Sequence, residues 1–210
     1  RCPRFVAVVA GVTPGPSPEW LQRRLVLAGM RPISNIVDVT NYVMLERCRP
    51  LHAFDLGRLA GRGIVVRTAT AGERMTTLDG VERELAPEDL LICDATDRPI
   101  GIAGIMGGQN TEISEATTTI AVEAAWFEPT AIMQSVVRLG LRSEASARFE
   151  RGVDPYGIEA SVARFVELLR LTCPDLVVHR GWADARTEHM PRPVSITVRP
   201  ERVSALLGRS

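Results

Sequence analysis

Apolar positions change period several times along this chain. Phe5 to Gly11, FVAVVAG, is a short apolar run of strand length, and the connector VTPGPSP follows it. Ser17, Pro18 and Gly29 then bracket a helix as cap, first position and terminator, with Trp20, Leu21, Leu25 and Ala28 on its apolar side. Ile36, Val39 and Val43, flanked by Tyr42 and Met44, recur every three to four residues and predict a helix through NIVDVTNYVMLERC. Thr40 and Asn41 fall inside it, although neither favours a helix interior.

The middle of the chain carries strand patterns. GIVVR is followed by MTTLDGVEREL, two runs around Asp79-Gly80, which predicts a hairpin. LLICDA and PIGIAG are two further strands with a turn at Thr96 to Arg98. TTIAVEAA, Thr118 to Ala125, is another, with the carboxylate of Glu123 inside it. A helix is expected from Pro129 to Gly140, and a second from Asp154-Pro155 to Cys173, with Ile158, Val162, Phe165, Leu168 and Leu169 as its buried stripe. RSEASARFERGVDP lies between them as a connection. LVVHRGW predicts a late strand, and VSITVRPERVSALLG a strand and the first turn of a helix. Strands and helices mix without strict alternation, so the expected class is α+β, an antiparallel or mixed sheet with packed helices.

Composition narrows the function classes. At 45% hydrophobic and 24% charged, the chain has material for a globular core. Its formal net charge is zero, which argues against a partner held by bulk electrostatics, such as long duplex DNA. All 25 basic residues are arginine. Cys2, Cys48, Cys93 and Cys173 form no Cys-x-x-Cys pair and are expected to be buried free thiols in a cytosolic protein. No apolar run approaches a membrane span of about 20 residues. The chain opens at Arg1 in mid-pattern, as a fragment would.

Three features carry candidate chemistry. His52, in RPLHAFD, follows Pro50 and stands near Asn41; it either packs in the core or orients a water or a ribose hydroxyl. GIAGIMGGQNTE, Gly101 to Glu112, lacks the patterns of a dinucleotide or phosphate loop, and its glycines suit positive φ and close backbone approach. Glu123 is either on a solvated strand face or on a pocket wall, where it would accept a hydrogen bond from a substrate hydroxyl. His52, His179 and His189 have no metal-ligand spacing, so no metal site is expected.

PEWLQRRL, RPISNIVDVTNYVMLE, PLHAFDL, TLDGVEREL, GIAGIMGG and GLRSEASARFERGVDP occur in the order in which the β subunit of bacterial phenylalanyl-tRNA synthetase carries them, and the chain resembles that family over nearly its whole length. The resemblance implies a fold of the synthetase editing-module type. Residues 1–11 would be the tail of a preceding domain, 12–193 the editing domain, and 194–210 the start of a following one. The implied activity is hydrolysis of tyrosine mischarged onto the phenylalanine tRNA, since a pocket shaped for phenylalanine cannot strongly reject an isostere that only adds a hydroxyl. His52, Asn41 and Thr40 would surround the scissile ester. Pro50 would lie beside them, Ala103 and Gly104 would line the pocket with backbone, and Glu123, ionised, would read the phenol. Arg142, Arg148 and Arg151 would either contact tRNA phosphates or, with Arg148, Glu150 and Asp154 in ion pairs, lock the helices. Cys48-Arg49 departs from the smaller residue and glutamine that many members carry. The implied partners are the tRNA and an α subunit in a cytoplasmic α2β2 ligase. ATP and magnesium would serve the full enzyme and not this segment. A non-catalytic structural or tRNA-docking module is the alternative.

Overall fold

The computed structural model describes residues 1–208; positions 209 and 210, the last of the segment expected to start a following domain, lie outside the described residues. In chain order the strands and helices are β1 (Arg4–Gly11), α1 (Glu19–Leu27), α2 (Asn35–Arg47), β2 (His52–Asp55), β3 (Ile64–Thr68), β4 (Arg74–Thr76), β5 (Glu82–Glu84), β6 (Leu90–Asp94), β7 (Pro99–Ile102), β8 (Met106–Gly107), β9 (Thr119–Trp126), α3 (Pro129–Leu139), α4 (Glu144–Phe149), α5 (Ile158–Arg170), β10 (Val177–Val178), β11 (Ala183–Arg186) and α6 (Pro200–Leu207). The class is α+β, and every strand pairing among the described residues is antiparallel.

The central sheet runs β10-β1-β9-β2, with β11 beside the other half of β1. Alternation along β9 divides the molecule. Ile120, Val122 and Ala124 join Val6, Val8 and Ala10 of β1 in a core against α1, α2 and α5. Ala121 and Ala125 turn the other way, into a core shared with the second sheet, β3-β6-β7-β8, and with α3 and α4. Period-2 side chains on one strand thus serve two cores, each buried large side chain contributing about 1.5–3 kcal/mol. The strand expected as the tail of a preceding domain, β1, pairs with β9 over its whole length inside this sheet.

Several expectations are corrected. Ser17 does not cap α1; its hydroxyl donates to Asp38 Oδ2 at 2.6 Å, tying the connector to α2, and Pro18 is the N-cap. Trp20 and Ala28 are exposed, so Leu21 and Leu25 alone form the buried side. Trp20 instead meets Tyr42 edge-on at 5.7 Å on the surface. The helix expected from Asp154 starts at Ile158, because the Asp154 side chain accepts from the Tyr156 amide and closes a turn there. It ends at Arg170, short of Cys173. RSEASARF contains a helix, α4, whose Ser143 and Ser146 cap each other's backbone amides. The late strand shortens to Val177–Val178, and Ala183–Arg186 supplies a second. VSITV forms no strand; Val194, Ile196 and Val198 are exposed with no neighbouring strand to complete their hydrogen bonds. Cys48 is exposed and Cys2 half-buried, so only Cys93 and Cys173 are the buried thiols expected. No described helix is long and apolar enough to cross a membrane.

Candidate active site

Pairing between β2 and β9 sets His52 directly opposite Glu123. Opposed residues of an antiparallel pair project from the same face, and both side chains line one cavity of about 410 Å³. Glu123 is therefore not on a solvated strand face: it is 6% exposed. The floor of the cavity is the sheet. One wall is the second half of α2, with Thr40, Asn41 and Met44; another is α4, with Glu144, Ala145 and Phe149; the third is the β7–β8 hairpin.

The glycine-rich segment makes room for its neighbours. It folds as β7, a tight turn and β8, with Gly104 at φ +69° in the turn. Side-chain-free backbone is needed most at Gly107, where a Cβ would stand 2.6 Å from His52 Cε1 and 2.7 Å from Nε2. The imidazole occupies the room that Gly107 leaves. Its other side rests on Phe54, ring to ring at 4.5 Å and nearly perpendicular.

The electrostatics follow from burial. With no cation paired to it among the described residues, the Glu123 carboxyl is pushed up to about 8 by desolvation. Desolvation pulls His52 down to about 4. At neutral pH the cavity thus holds a neutral imidazole, able to accept a proton at one nitrogen, opposite a carboxyl that is mostly protonated. Glu123, expected ionised, is thus held toward its protonated form by burial. The Thr40 hydroxyl donates to the Val37 carbonyl at 2.7 Å, so its proton is committed to α2.

The residues singled out in the sequence separate into four groups. His52, Asn41, Thr40, Pro50, Gly104 and Glu123 meet around the one cavity. Ala103 is 1% exposed and packs in the core beside it, off the lining. Arg142, Arg148 and Arg151 lie outside this cavity, in local ion pairs: Arg148 with Glu144 at 2.7 Å, Arg142 and Arg151 both with Glu150, at 2.6 and 2.9 Å. The expected lock through Arg148, Glu150 and Asp154 is corrected by these pairs, because Arg148 reaches back one turn along α4 and Asp154 serves its own turn. His179 and His189 are exposed elsewhere. Sequence reasoning passed over Gly107, Phe54 and the α4 wall. Phe54 had a signal, since two residues along a strand restore the same face.

The B3/4 domain profile matches residues 1–174. The chain belongs to the B3/4 domain family. This B3/4 chain is 52% identical over 208 residues to a phenylalanine–tRNA ligase β subunit from Moorella thermoacetica, across 99% of its own length and 26% of that protein. It is 55% identical over 164 residues to the β subunit from Carboxydothermus hydrogenoformans, 78% of this chain and 20% of the relative. The β subunit from Anaeromyxobacter dehalogenans is 49% identical over 209 residues, 99% of this chain and 26% of the relative. The B3/4 chain thus spans a fifth to about a quarter of the length of these relatives. A crystal structure of an N-terminal fragment of the phenylalanyl-tRNA synthetase β subunit from Pyrococcus horikoshii aligns over 66% of this chain and 45% of its own. Its TM-score is 0.41 at 13% identity, too distant for a residue comparison.

Proposed function

We propose that this chain is the editing module of a phenylalanine–tRNA ligase β subunit and hydrolyses the ester of tyrosine mischarged onto the phenylalanine tRNA. The observation that carries the reading is His52 opposite Glu123 in one cavity, with Asn41 on the adjoining helix. A cavity of this size lies within the range of small-molecule sites, about 300–1,000 Å³.

In this reading the tyrosine phenol reaches Glu123 and the ester carbonyl lies near His52. The neutral imidazole accepts a proton from a water that the Asn41 amide helps to hold. The water oxygen bonds to the ester carbon, the ester C–O bond breaks, and the ribose oxygen leaves with a proton. Free tyrosine and uncharged tRNA result. A phenylalanine side chain would leave the Glu123 carboxyl without a partner, and the site disfavours it for that reason. ATP and magnesium belong to charging by the whole ligase; the glycine-rich segment is a hairpin and not a phosphate loop, so no step here runs through them. The partners are the tRNA and the ligase α subunit, in a cytoplasmic α2β2 assembly.

The test uses the full-length subunit with its α partner. His52→Ala should slow hydrolysis of Tyr-tRNA by about a hundredfold or more and leave phenylalanine charging intact. Glu123→Ala should narrow the preference for Tyr-tRNA over Phe-tRNA by about tenfold. Normal deacylation in a stably folded His52→Ala variant would remove the histidine from the chemistry and leave a docking module.

A further inference from the structure

A second cavity, of about 580 Å³, adjoins the first. The two meet along the chain at Arg49-Pro50 and at Arg148-Phe149: the arginines line the second, the following residues the first. Arg47 and Arg151 complete its basic lining. The two carboxylates there are partly engaged, the Asp154 Oδ2 oxygen facing the Gly157 end of α5. Glu46 is held by Arg164 at 2.8 and 2.9 Å, and Asp154 accepts from the Tyr156 amide at 2.8 Å.

Arg49 is the unusual member. It is 2% exposed, and one guanidinium nitrogen donates to the Ala125 carbonyl at 2.8 Å. Among the described residues no carboxylate forms an ion pair with it. Desolvation pulls it down to about 10; Asp154 and Glu159 oppose this from a distance and Arg4 adds to it. A buried guanidinium is costly to leave unpaired. A second donor is also unmet: Nε of Arg148 is buried without an acceptor. Gly157, at the start of the thirteen-residue α5, and Ser161 one turn later line the same cavity, and no side chain caps that helix end.

We propose that this second cavity is an anion site for a phosphate of the RNA strand whose 3′ end enters the His52–Glu123 cavity, with Arg49 and Arg148 as its donors. The identity of the strand rests on the editing reading; the affinity for phosphate does not. Arg49 supplies a fixed, pre-paid donor at the boundary between the cavities, and Arg148 supplies a second from α4.

The experiment uses the full-length protein and two probes: inorganic phosphate, and a short single-stranded RNA ending in an unesterified 3′ adenosine. The RNA should bind and be displaced by inorganic phosphate. Arg49→Gln and Arg148→Gln should each weaken RNA binding about tenfold, and each should lower the slope of log Kd against log salt by about one. Thermal melts accompany both variants; if Arg49→Gln does not fold, Arg148→Gln, on the half-buried face of α4, decides. RNA affinity and salt slope unchanged in a folded Arg148→Gln or Arg49→Gln variant would overturn the site. Inorganic phosphate binding without RNA binding would overturn its assignment to the strand. Loss of RNA binding in the arginine variants, in a protein whose wild type does not deacylate Tyr-tRNA, would uphold the site while the editing reading falls.

Discussion

The central sheet buries charge-bearing side chains in two places and treats them in opposite ways. Arg4, on β1, is 1% exposed and fully engaged. It donates to Asp184 at 3.2 and 3.0 Å, to the Pro155 carbonyl at 2.8 Å, and to Glu159. Hydrogen bonds that it donates to Asp184, against the pull of burial, hold its guanidinium above the usual range, and Arg186 and then Arg4 hold the Asp184 carboxyl down to about 2. Arg4 thereby fastens β1, β11 and the start of α5. Glu123 is buried and His52 half-buried in the same sheet, with no counter-charge among the described residues, and desolvation drives each toward its neutral form. A compensated charge fastens elements together. An uncompensated pair of titratable groups facing a cavity is held ready for a ligand that completes it.

The contrast breaks most visibly at Arg4. Arg4→Ala should cost about 3 kcal/mol in chemical denaturation, since it removes the buried side chain that ties β1 to β11 and α5 and leaves Asp184 and Glu159 to Arg186 alone. Hydrolysis per folded molecule should stay at the wild-type level, and a fall in activity beyond the loss of folded protein would place Arg4 in the site's chemistry. Gly107→Ala should come next, at about 1–3 kcal/mol from overpacking. Its Cβ would stand on the imidazole, so Tyr-tRNA deacylation should fall at least tenfold in protein that remains folded. Retained activity would mean that the ring position is not needed.

The smallest effect concerns protons. The Glu123 carboxyl binds its proton more tightly in the folded chain, at about 8 against 4.5, so it withdraws stability as pH rises from about 4.5 to about 8. His52 binds its proton less tightly when folded, at about 4 against 6.5, so its contribution is lost as pH falls from about 6.5 to about 4. Glu123→Gln should therefore gain on wild type between pH 5 and pH 8, by on the order of 1–2 kcal/mol. Parallel stability curves for the two proteins across that range would show that Glu123 is not held neutral by the fold.

The sequence was readable wherever local chemistry decides conformation. The period of Ile36, Val39 and Val43 gives α2, Asp79-Gly80 gives the β4–β5 hairpin, and Pro129 and Gly140 bracket α3. It failed where distant partners decide. The six residues of α4 are too few to display a period, and the box that starts it uses serine where a glutamate or glutamine is the familiar signal. ADAR has no strand pattern, yet it pairs with β1 beside the Arg4–Asp184 bridge. VSITV has the pattern and no partner. The same division holds at the site. His52, Asn41 and Glu123 drew notice as polar residues in apolar surroundings, and the family resemblance grouped them. Their register across β2 and β9 is long-range, as is the fit of Gly107 against the imidazole, and no local pattern encodes either.

One consequence of that register concerns cooperativity. Glu123 sits on β9, flanked by β1 on one side and β2 on the other; His52 sits on β2, four residues long and paired in the sheet to β9 alone. Short edge strands are the first parts of a sheet to open locally, and inner strands yield only with the whole fold. The two halves of the site are therefore held by different numbers of neighbouring strands, and on the edge it is the buried Ala53, Phe54 and Asp55 that keep β2 in place. Any opening of β2 would carry the histidine away from a carboxyl that stays put, so the site is assembled only while that edge is closed. Whatever clamps that edge, including a ligand touching both strands, sets how much of the protein is competent at any instant.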